Sequence, residues 1–592
     1  MPEQVLDLYN YITTEETAFQ TVSVPITGSK EWNMKAHIER CTNVANAWFH
    51  TGTNDGNRPY KDIVSPIINV AFRSEGFDVK DIVPFVNDSD NYYKSFLIKK
   101  FHPKWARDNE IDTFIDDLVE TSVIYDLALI KNVSNARPEV VKLQSIAFCD
   151  QTDIMSGPIC LKHQYSIADL LEFKGKWDDT KIDEAIIMSK AEKTVPNANE
   201  KKAKTPGKYI EVYELHGMLP DWWMDSDTYQ SEDGKYTNQL HIVSYYTGGD
   251  GKKNGISLFK GKGKSLDKTF KALKIDRIKS HGRACGRSIV ESLFEPQVWT
   301  NYSEIKIKEM LDSSINLLQT DSEEWANQPI ANLKQQTVLK HEQGRPITKV
   351  NNQLTDLTAF TNYQIGQENN ARVIGSASDA QLGTNPTSGT PFALQSLIVQ
   401  QGEGIHEYRK GKIATFVSDV LYRDWILGYL VDEMNGGKKF SEVLTLDEMQ
   451  EISDTIANNV ANKKMMDMML DGKLITEEAK QQIITFEKEN FKKGGSRKFM
   501  ETLKGELSDI PMSVYVNIVG KQKSMAQNAD KLTNLITAVL KSPQAFSQVP
   551  GISKIFNELL ENSGFSPIDF TQITQTNNPL QVAPQQVAPV GA

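Results

Sequence analysis

A chain of 592 residues is long enough for two to four packed units and too long for a single hydrophobic core. Hydrophobic residues make up 39% of it and charged residues 24%, a composition that indicates a folded soluble protein and excludes an intrinsically disordered one. Lysine and arginine number 66 against 77 aspartates and glutamates. The net charge of −11 has the wrong sign for a protein whose whole surface grips nucleic-acid phosphates.

The first 286 residues predict a mixed α/β region. Between Ser29 and about Asp126 apolar residues recur at helical spacing, so we expect several helices there. Strand-like runs follow at 127–133, 140–148, 209–216 and 240–246. The lysine- and proline-rich stretch 190–208 predicts an exposed loop, for which a phosphate-binding role stays open as an alternative. Asn254-Gly255 predicts the tight turn of a β-hairpin with a lysine-bearing tip.

The sequence gives no sign of secretion, membrane insertion or disulfide bonding. It begins MPEQVLDLYNYITTEE, which lacks the basic and apolar parts of a secretory signal, and no apolar run reaches the roughly 18 residues of a membrane span. Its four cysteines are scattered, without paired spacing. We therefore expect reduced thiols in an aqueous compartment.

Motifs of common enzymes are incomplete in this chain. Residues 261–265 (GKGKS) end like a phosphate-binding P-loop, but Leu258 stands where the motif needs its first glycine. The acidic stretch that begins at Asp225 resembles a calcium loop, but Gln230 occupies its obligatory glycine position. We therefore expect no enzyme, no catalytic residue, no cofactor and no metal. A pair of distant carboxylates that converge in the fold stays open.

The order of elements between 279 and 430 is the most informative part of the sequence. The glycine-bracketed turn 282–288 (GRACGRS) leads into a helix that Ser288 is placed to cap. After Pro296 a long helix is predicted over 297–319. Five apolar residues follow the spacing of one buried face: Ile307, Met310, Leu311, Ile315 and Leu318. The opposite face is acidic, which for a helix taken alone indicates a plain solvated surface.

An irregular segment, a polar helix, a long loop and another long helix come next. Segment 321–353 predicts a small compact unit with short strands, and a second helix is predicted from about Thr355 to Ile374. The loop GSASDAQLGTNPTSGTP that follows is longer than helix–helix connections normally need, and loops of that length are often functional. Its side chains are small, polar and, apart from Asp379, uncharged.

This order of elements resembles that of bacteriophage portal proteins, the head-to-tail connectors. Three stretches carry the resemblance, which covers about 279–430: GRACGRS at the entry to the first helix, Gln297 and Asn301 in EPQVWTN, and NPTSGTPFALQ after the loop. The resemblance implies a mixed α+β, predominantly helical fold with wing, stem, clip and crown parts. The implied divisions are a wing (1–286), a stem helix (287–320), a clip (321–353), a second stem helix (354–375), a tunnel loop (376–391), a long wing helix (392–440), a crown-like helical region (441–573) and a flexible tail (574–592).

The resemblance also implies a function and a set of partners. Such a protein forms a ring, commonly of twelve subunits, at one capsid vertex of the virion after synthesis in the host cytoplasm. Double-stranded DNA passes non-specifically through the ring during packaging and ejection. The implied partners are further copies of the chain, the major capsid protein, the terminase large subunit and head-completion or tail adaptor proteins, with no membrane. Two rivals stay open: a metal-dependent nucleic-acid-processing enzyme, and another structural or scaffold protein of the virion.

Three groups of residues are expected to carry this function. The tunnel-loop residues expected nearest the DNA are Ser376, Ser378, Gln381, Asn385, Thr387 and Ser388. The residues expected to line the channel from the stem are Glu304, Lys308, Glu309 and Asp312. The basic residues expected to dock partners on the clip are Lys334, Lys340, Arg345 and Lys349.

Overall fold

The structure is a computed structural model of the chain. The residues it describes are 7–26, 30–48, 59–86, 92–133, 137–191, 209–225, 235–247, 253–275, 282–313, 318–319, 348–349, 357–377, 381–382, 404–436, 439–443, ten residues between 453 and 468, 477–493, 497–501 and 512–516.

The fold is mixed α+β, and helical residues outnumber strand residues in the described part, as the sequence predicts. The helices are α1 (Leu8–Thr21), α2 (Met34–Ala45), α3 (Ser65–Glu75), α4 (Tyr92–Asp108), α5 (Ile111–Tyr125), α6 (Ile167–Glu172), α7 (Asp179–Ala191), α8 (Trp222–Asp225), α9 (Leu266–Thr269), α10 (Ile289–Ser313), α11 (Leu357–Ile374), α12 (Gly404–Phe416), α13 (Leu427–Asn435) and α14 (Glu477–Lys493). The strands are β1 (Val24–Ile26), β2 (Lys30–Trp32), β3 (Ile82–Val86), β4 (Leu127–Lys131), β5 (Glu139–Val141), β6 (Ile146–Phe148), β7 (Ile159–Tyr165), β8 (Ile210–Pro220), β9 (Tyr236–Thr247), β10 (Lys253–Lys262), β11 (Phe270–Lys274), β12 (Leu318–Gln319), β13 (Thr348–Lys349), β14 (Lys439–Val443), β15 (Arg497–Glu501) and β16 (Met512–Val516).

Local sequence explains several of the helix boundaries. Asn33 caps α2 because its side chain accepts a hydrogen bond from the Ala36 N–H at 2.9 Å. Pro66 stands in the first turn of α3, where its missing N–H costs no helical hydrogen bond. Asp126 takes the left-handed conformation, with φ of 53°, and so ends α5.

A five-stranded antiparallel sheet has both of its faces covered. Its order is β10-β9-β8-β7-β6, so β10 is an edge strand. Alternate residues point to opposite faces: Val212 and Ile242 pack with α6 and α7, whereas Tyr213 and Val243 join the main core. On its outer side β10 accepts one backbone hydrogen bond, from the Asp178 N–H to the Leu258 carbonyl at 3.0 Å.

The main core joins helices that lie far apart in the chain. It contains residues of α1 to α5, of the three-stranded sheet β11-β4-β5, of the first turns of α10 and of the helical stretch from Gly404 to Asn435. That stretch is α12, then a π-helical segment (Val417–Ile426), then α13. Its buried Leu421, Tyr422 and Leu430 hold it against the body. The long helix predicted within 392–440 therefore ends at Asn435, and residues 392–403 lie outside the described residues.

Two strand features differ from the sequence predictions. Strand β3, in a region predicted as helical, pairs antiparallel with β16 from the far end of the described chain. The Asn254-Gly255 pair lies inside β10, opposite Tyr246 and Tyr245, and does not form the hairpin turn. A Cβ atom at Gly255 would overlap the ring of Tyr9, so this glycine allows α1 to approach the strand. The β9–β10 hairpin itself is confirmed.

Some further predictions cannot be compared with the structure. The predicted loop 190–208 begins in the last turn of α7, and its residues after Ala191 lie outside the described residues. The same holds for residues 517–573 of the predicted crown-like region and for the tail 574–592.

Candidate functional site

The helices α10 and α11 form an antiparallel pair that a two-stranded ladder closes at one end. The Ser288 hydroxyl accepts a hydrogen bond from the Glu291 N–H at 2.9 Å, which confirms the predicted cap of α10. The helix runs unbroken through Pro296. It ends at Ser313, so the predicted extension to 319 is wrong, because Leu318 and Gln319 form a strand.

Residues on either side of segment 320–347 lie next to each other. Leu318 pairs with Lys349 and Gln319 with Thr348 in an antiparallel ladder, so the segment begins and ends at one place. From there α11 returns alongside α10. Of the predicted partner-docking residues, Lys349 lies in β13. The other three, Lys334, Lys340 and Arg345, lie outside the described residues.

Gln297 and Asn301 fasten α10 to an extended segment of the body. The buried Gln297 amide accepts from the Ile63 N–H at 3.0 Å and donates to the Lys61 carbonyl at 2.6 Å. It also donates to Asn301 Oδ1 at 3.0 Å, which in turn accepts from the Lys61 N–H at 3.3 Å. Gln297 and Asn301 therefore satisfy backbone groups of segment 61–63, which holds the base of α10 in place.

The helix pair exposes aromatic rings that contact one another. Trp299, Tyr302 and Tyr363 are 43%, 50% and 45% exposed, and we call this group the aromatic face. Trp299 lies edge-on to Tyr302 at 5.8 Å between ring centroids and to Tyr363 at 6.3 Å. Val298 and Ile365 on the same two helices are exposed as well. Such a contiguous apolar surface is unusual for a part of a protein that faces only water.

The apolar stripe predicted for α10 is not buried by the described part of the chain. Ile307 and Met310 are half-buried, and Leu311 is 48% exposed. Ile315 lies outside the described residues, and Leu318 belongs to β12 rather than to the helix. The prediction of one buried face is therefore wrong for these residues, because α11 covers only part of the stripe.

The four charged residues predicted to line a channel do not share one environment. Glu304 accepts a hydrogen bond from the Gln364 side chain at 2.6 Å and so lies against α11. Lys308 and Asp312 follow it at intervals of four and share its side of the helix, although only the backbone of Asp312 is described. Glu309 is exposed on another side, where it pairs with Lys306 at 2.7 Å.

The end of α11 is built into the body. A Cβ atom at Gly375 would overlap the Ile67 side chain, so this glycine allows a close approach to α3. Ser376 is half-buried with φ of 49°, and the next N–H, of Ala377, bonds back to the Arg372 carbonyl at 3.0 Å. Ser376 therefore belongs to the helix end rather than to a free loop.

The other residues predicted to face DNA are described only in part. Gln381 is half-buried, and the neighbouring Leu382 packs against the main core. The remaining four, Ser378, Asn385, Thr387 and Ser388, lie outside the described residues.

A buried network of charged residues, which we call the junction network, holds this helix end to the body. Arg409 on α12 donates from Nε to both oxygens of Glu75, at 2.9 and 3.0 Å, and from Nη1 to Asp126 at 2.6 Å. The imidazole of His406 lies 3.0 Å from the Glu75 carboxylate on one side and 3.1 Å from the Gly375 carbonyl on the other. Burial lowers the pKa of Arg409, but the two carboxylates outweigh it and raise that pKa.

The GRACGRS turn leans on the same network. A Cβ atom at Gly286 would overlap the Asp126 carboxylate, which explains why a glycine stands there. Arg283 pairs with both oxygens of Glu291 at 2.9 Å, which ties the turn to the first turns of α10. The start of α10, the end of α11 and the helix α12 thus meet at one buried point. Sequence reasoning missed Glu75, Asp126, His406 and Arg409, because they are far apart in the chain and no spacing connects them.

A second cluster of polar groups lies on the sheets. The Glu214 carboxylate accepts a hydrogen bond from Lys131 Nζ at 2.6 Å. It also lies 2.9 Å from His163 Nε2 and 2.8 Å from His216 Nε2. Burial raises the pKa of Glu214, but the two histidine hydrogen bonds and the Lys131 charge outweigh it and hold that pKa well below its usual range. The carboxylate therefore forms an ion pair with Lys131 and hydrogen bonds with the two histidines, which together join β4 to β7 and β8.

Features relevant to catalysis are limited in the described residues. No group of three or more histidine, cysteine, aspartate or glutamate side chains there is placed to hold a metal ion. All four cysteines are buried, and burial raises the pKa of the Cys41 thiol to about 12, which disfavours the reactive thiolate. The helix after GKGKS, α9, has only four residues.

None of the helices in the described ranges is both long and apolar enough to cross a membrane. No family model matches this sequence, and no curated protein matches it either.

Proposed function

We propose that this chain is the portal subunit of a bacteriophage, which forms a ring around the DNA path at one capsid vertex. The helix pair is the observation that carries the proposal. Helix α10 begins next to the junction network, and the β12–β13 ladder brings together the two ends of segment 320–347. Helix α11 then runs back beside α10 to the same network. This path fits a channel subunit whose helix pair forms part of the channel wall and whose segment 320–347 forms a small unit outside the channel.

The aromatic face supports assembly into a ring. Tryptophan and tyrosine are enriched where protein surfaces bind each other, and they carry much of the binding energy there. In a ring, each helix pair lies against the pair of the next subunit through a heterologous contact whose rotation closes. The contact would cover the rings of Trp299, Tyr302 and Tyr363, which the single chain leaves exposed.

The negative net charge of the chain favours weak contact with DNA, so that the DNA can move through the ring. Duplex DNA carries one charge per about 1.7 Å of its axis, and each subunit contributes a net charge of −11. The part of the loop that follows Leu382, residues 383–391, would overhang the bore, with small polar side chains that contact DNA only weakly. The buried bond from His406 to the Gly375 carbonyl would hold the base of that loop firmly.

Partners and energy would come from outside the chain. The segment between β12 and β13 would be the clip, which docks the terminase large subunit and then the head-completion or tail adaptor proteins. The body would sit in the capsid shell against the major capsid protein. Because the sequence contains no complete P-loop motif, the terminase would supply the energy for packaging.

The aromatic face gives a direct test of this assembly. We expect the wild-type chain to form particles near twelve times its mass of 66.6 kDa in mass photometry. Replacing Trp299, Tyr302 and Tyr363 by serine should reduce these particles at least tenfold while leaving the far-ultraviolet circular dichroism spectrum unchanged, because the rings are exposed in the single chain.

A matched control replaces three exposed apolar residues elsewhere, Ile187, Tyr209 and Tyr236, by serine. These changes should leave assembly intact. A wild-type chain that stays monomeric at micromolar concentration would overturn the portal proposal. Normal rings from the aromatic-face variant would remove this face from the subunit contact.

A further inference from the structure

The segment from Lys253 to Lys274 reverses the charge of the molecule locally. It holds seven lysines and one aspartate, a net charge of +6, in a chain whose total is −11. The lysines are Lys253, Lys260, Lys262, Lys264, Lys268, Lys271 and Lys274, and we call this group the lysine edge. It includes the GKGKS stretch that resembles an incomplete P-loop.

The fold arranges several of these lysines in a row at the rim of a sheet. Strand β10 is the outermost strand of the five-stranded sheet. Lys260 and Lys262 are two residues apart in it, so they point to the same face about 7 Å from each other. The Gly263 N–H bonds to the Asn238 carbonyl at 2.8 Å, so pairing with β9 continues past the end of β10 towards Lys264.

Close packing explains the glycines between these lysines. A Cβ atom at Gly261 would lie 2.7 Å from the ring of Phe259, and one at Gly263 would lie 2.8 Å from the backbone of Gln239. The stretch 260–264 therefore carries lysine side chains alone. The following strand β11 is anchored by the buried Phe270 and Leu273, so the row stands on a fixed frame.

Four of the lysines are available to a ligand. Lys253, Lys262, Lys264 and Lys268 are exposed, and none of the ion pairs formed within the described ranges uses them. By contrast, Lys271 is engaged with Asp424 at 2.8 Å.

We infer that the lysine edge binds the phosphate backbone of duplex DNA without sequence preference. Lysine contacts phosphates as a point charge, and such contacts position nucleic acid without reading its bases. A protein partner is less favoured, because protein interfaces are depleted of lysine and enriched in aromatic residues and arginine, which the row 260–264 lacks. The inference does not depend on the ring or on the tunnel loop.

The expected binding is weak and depends strongly on salt. Each phosphate neutralised contributes about 0.9 to the slope of log affinity against log salt concentration. Four contacts give a slope of about 3.6, which corresponds to a loss of affinity of roughly 100-fold between 50 and 200 mM salt.

Fluorescence anisotropy of a labelled 30-base-pair duplex with the full-length protein tests the inference. The edge variant replaces Lys253, Lys262, Lys264 and Lys268 by glutamine. The control variant makes the same change at four other exposed lysines, Lys80, Lys99, Lys104 and Lys142, and so has the same net charge. At 50 mM salt the edge variant should bind at least 30-fold more weakly than the wild type, and the control within about threefold of it.

Several outcomes would overturn the inference. These are a wild-type chain that does not bind the duplex at 50 mM salt, and equal losses in the edge and control variants. The remaining alternative is that the lysine edge contacts another subunit, and mass photometry of the same samples tests it. Loss of rings with unchanged DNA binding in the edge variant would show such a protein contact instead. A monomeric wild type that binds DNA through the lysine edge would count against the portal proposal and leave this inference standing.

Discussion

Arg409 is the residue on which the candidate site depends most. It neutralises Glu75 and Asp126 in the interior and also donates to the Ser122 carbonyl at 2.9 Å. Replacing it by methionine would leave two buried carboxylates without a cation, a defect that typically costs about 3 to 5 kcal/mol. We therefore expect Arg409→Met to lower the thermal unfolding midpoint by several degrees.

The control for this experiment is Arg423→Met. The Arg423 side chain is 64% exposed and pairs with Asp424 at the surface, where such pairs contribute about 0 to 1 kcal/mol. Its midpoint should stay close to that of the wild type. Equal midpoints for the two variants would show that the junction network adds no stability.

His102 should make the protein sensitive to acid. Burial lowers its pKa to about 4, and its Nε2 lies 3.0 Å from the Tyr422 hydroxyl on the π-helical segment. Below pH 6.5 the unfolded chain binds a proton on this histidine that the folded chain does not take up until about pH 4. Stability is therefore lost as the pH falls from 6.5 to 4.

The variant His102→Gln, which cannot take up this proton, should reduce that loss. At the ordinary cost of 1.36 kcal/mol per pKa unit, the difference in unfolding free energy between wild type and variant should change by about 3 kcal/mol between pH 7 and pH 4. Thermal melts at several pH values measure it. Parallel pH profiles for the two proteins would contradict the buried neutral histidine.

Residues with local partners could be predicted from the sequence, and residues with distant partners could not. The Ser288 cap needs only the Glu291 N–H three residues away, so its position identifies it. Gln297 stands out within EPQVWTN, but its role needs the backbone of segment 61–63, which only the fold brings to it. The junction network had no sequence signal for the same reason.

At the scale of elements, the sequence predicted the helices α10 and α11 correctly but misplaced the end of α10, and the segment 320–347 between them lies outside the described residues. Apolar spacing continues through Leu318, yet α10 ends at Ser313 and Leu318 enters a strand of two residues, which is too short to show a period. Strand β3 was missed because its partner β16 lies far along the chain and β3 itself stands among helices.

The β12–β13 ladder allows the proposed clip to be deleted without disturbing the helices on either side of it. Gln319 and Thr348 are opposite each other, so an Asn-Gly turn can join them in place of segment 320–347. Because α10 and α11 contact directly through Glu304 and Gln364, the helix pair should stay folded and rings should still form.

The deletion should abolish capture of the terminase large subunit in a pull-down, and mass photometry checks that rings remain. Undiminished capture would rule out the clip as the docking part. Loss of the folded protein would contradict the independence of the helix pair.

The proposed tunnel loop makes a prediction of its own. Thr387, Ser388 and Gly389 are small, as a surface close to moving DNA should be. Replacing all three by phenylalanine should leave rings intact in electron micrographs but reduce DNA packaged or retained in particles by at least tenfold. Unchanged packaging would rule out this loop as a DNA contact.

For the whole molecule, the hydrophobic pattern of the sequence predicted the mixed, mainly helical fold, because secondary structure and core packing depend on one chain alone. The proposed assembly depends on contacts between copies, and the exposed aromatic face is where we propose that such a contact forms. Charge is likewise uneven at this scale: the chain has a net charge of −11, yet the lysine edge is basic, which net charge alone hides.

Single-particle electron microscopy of the purified full-length chain tests the central claim most directly. The account predicts closed rings with a central hole wide enough for duplex DNA, with α10 of every subunit beside the hole and the segment between β12 and β13 at one end of the channel. Compact monomers or fibres, or rings in which α10 lies away from the hole, would contradict it.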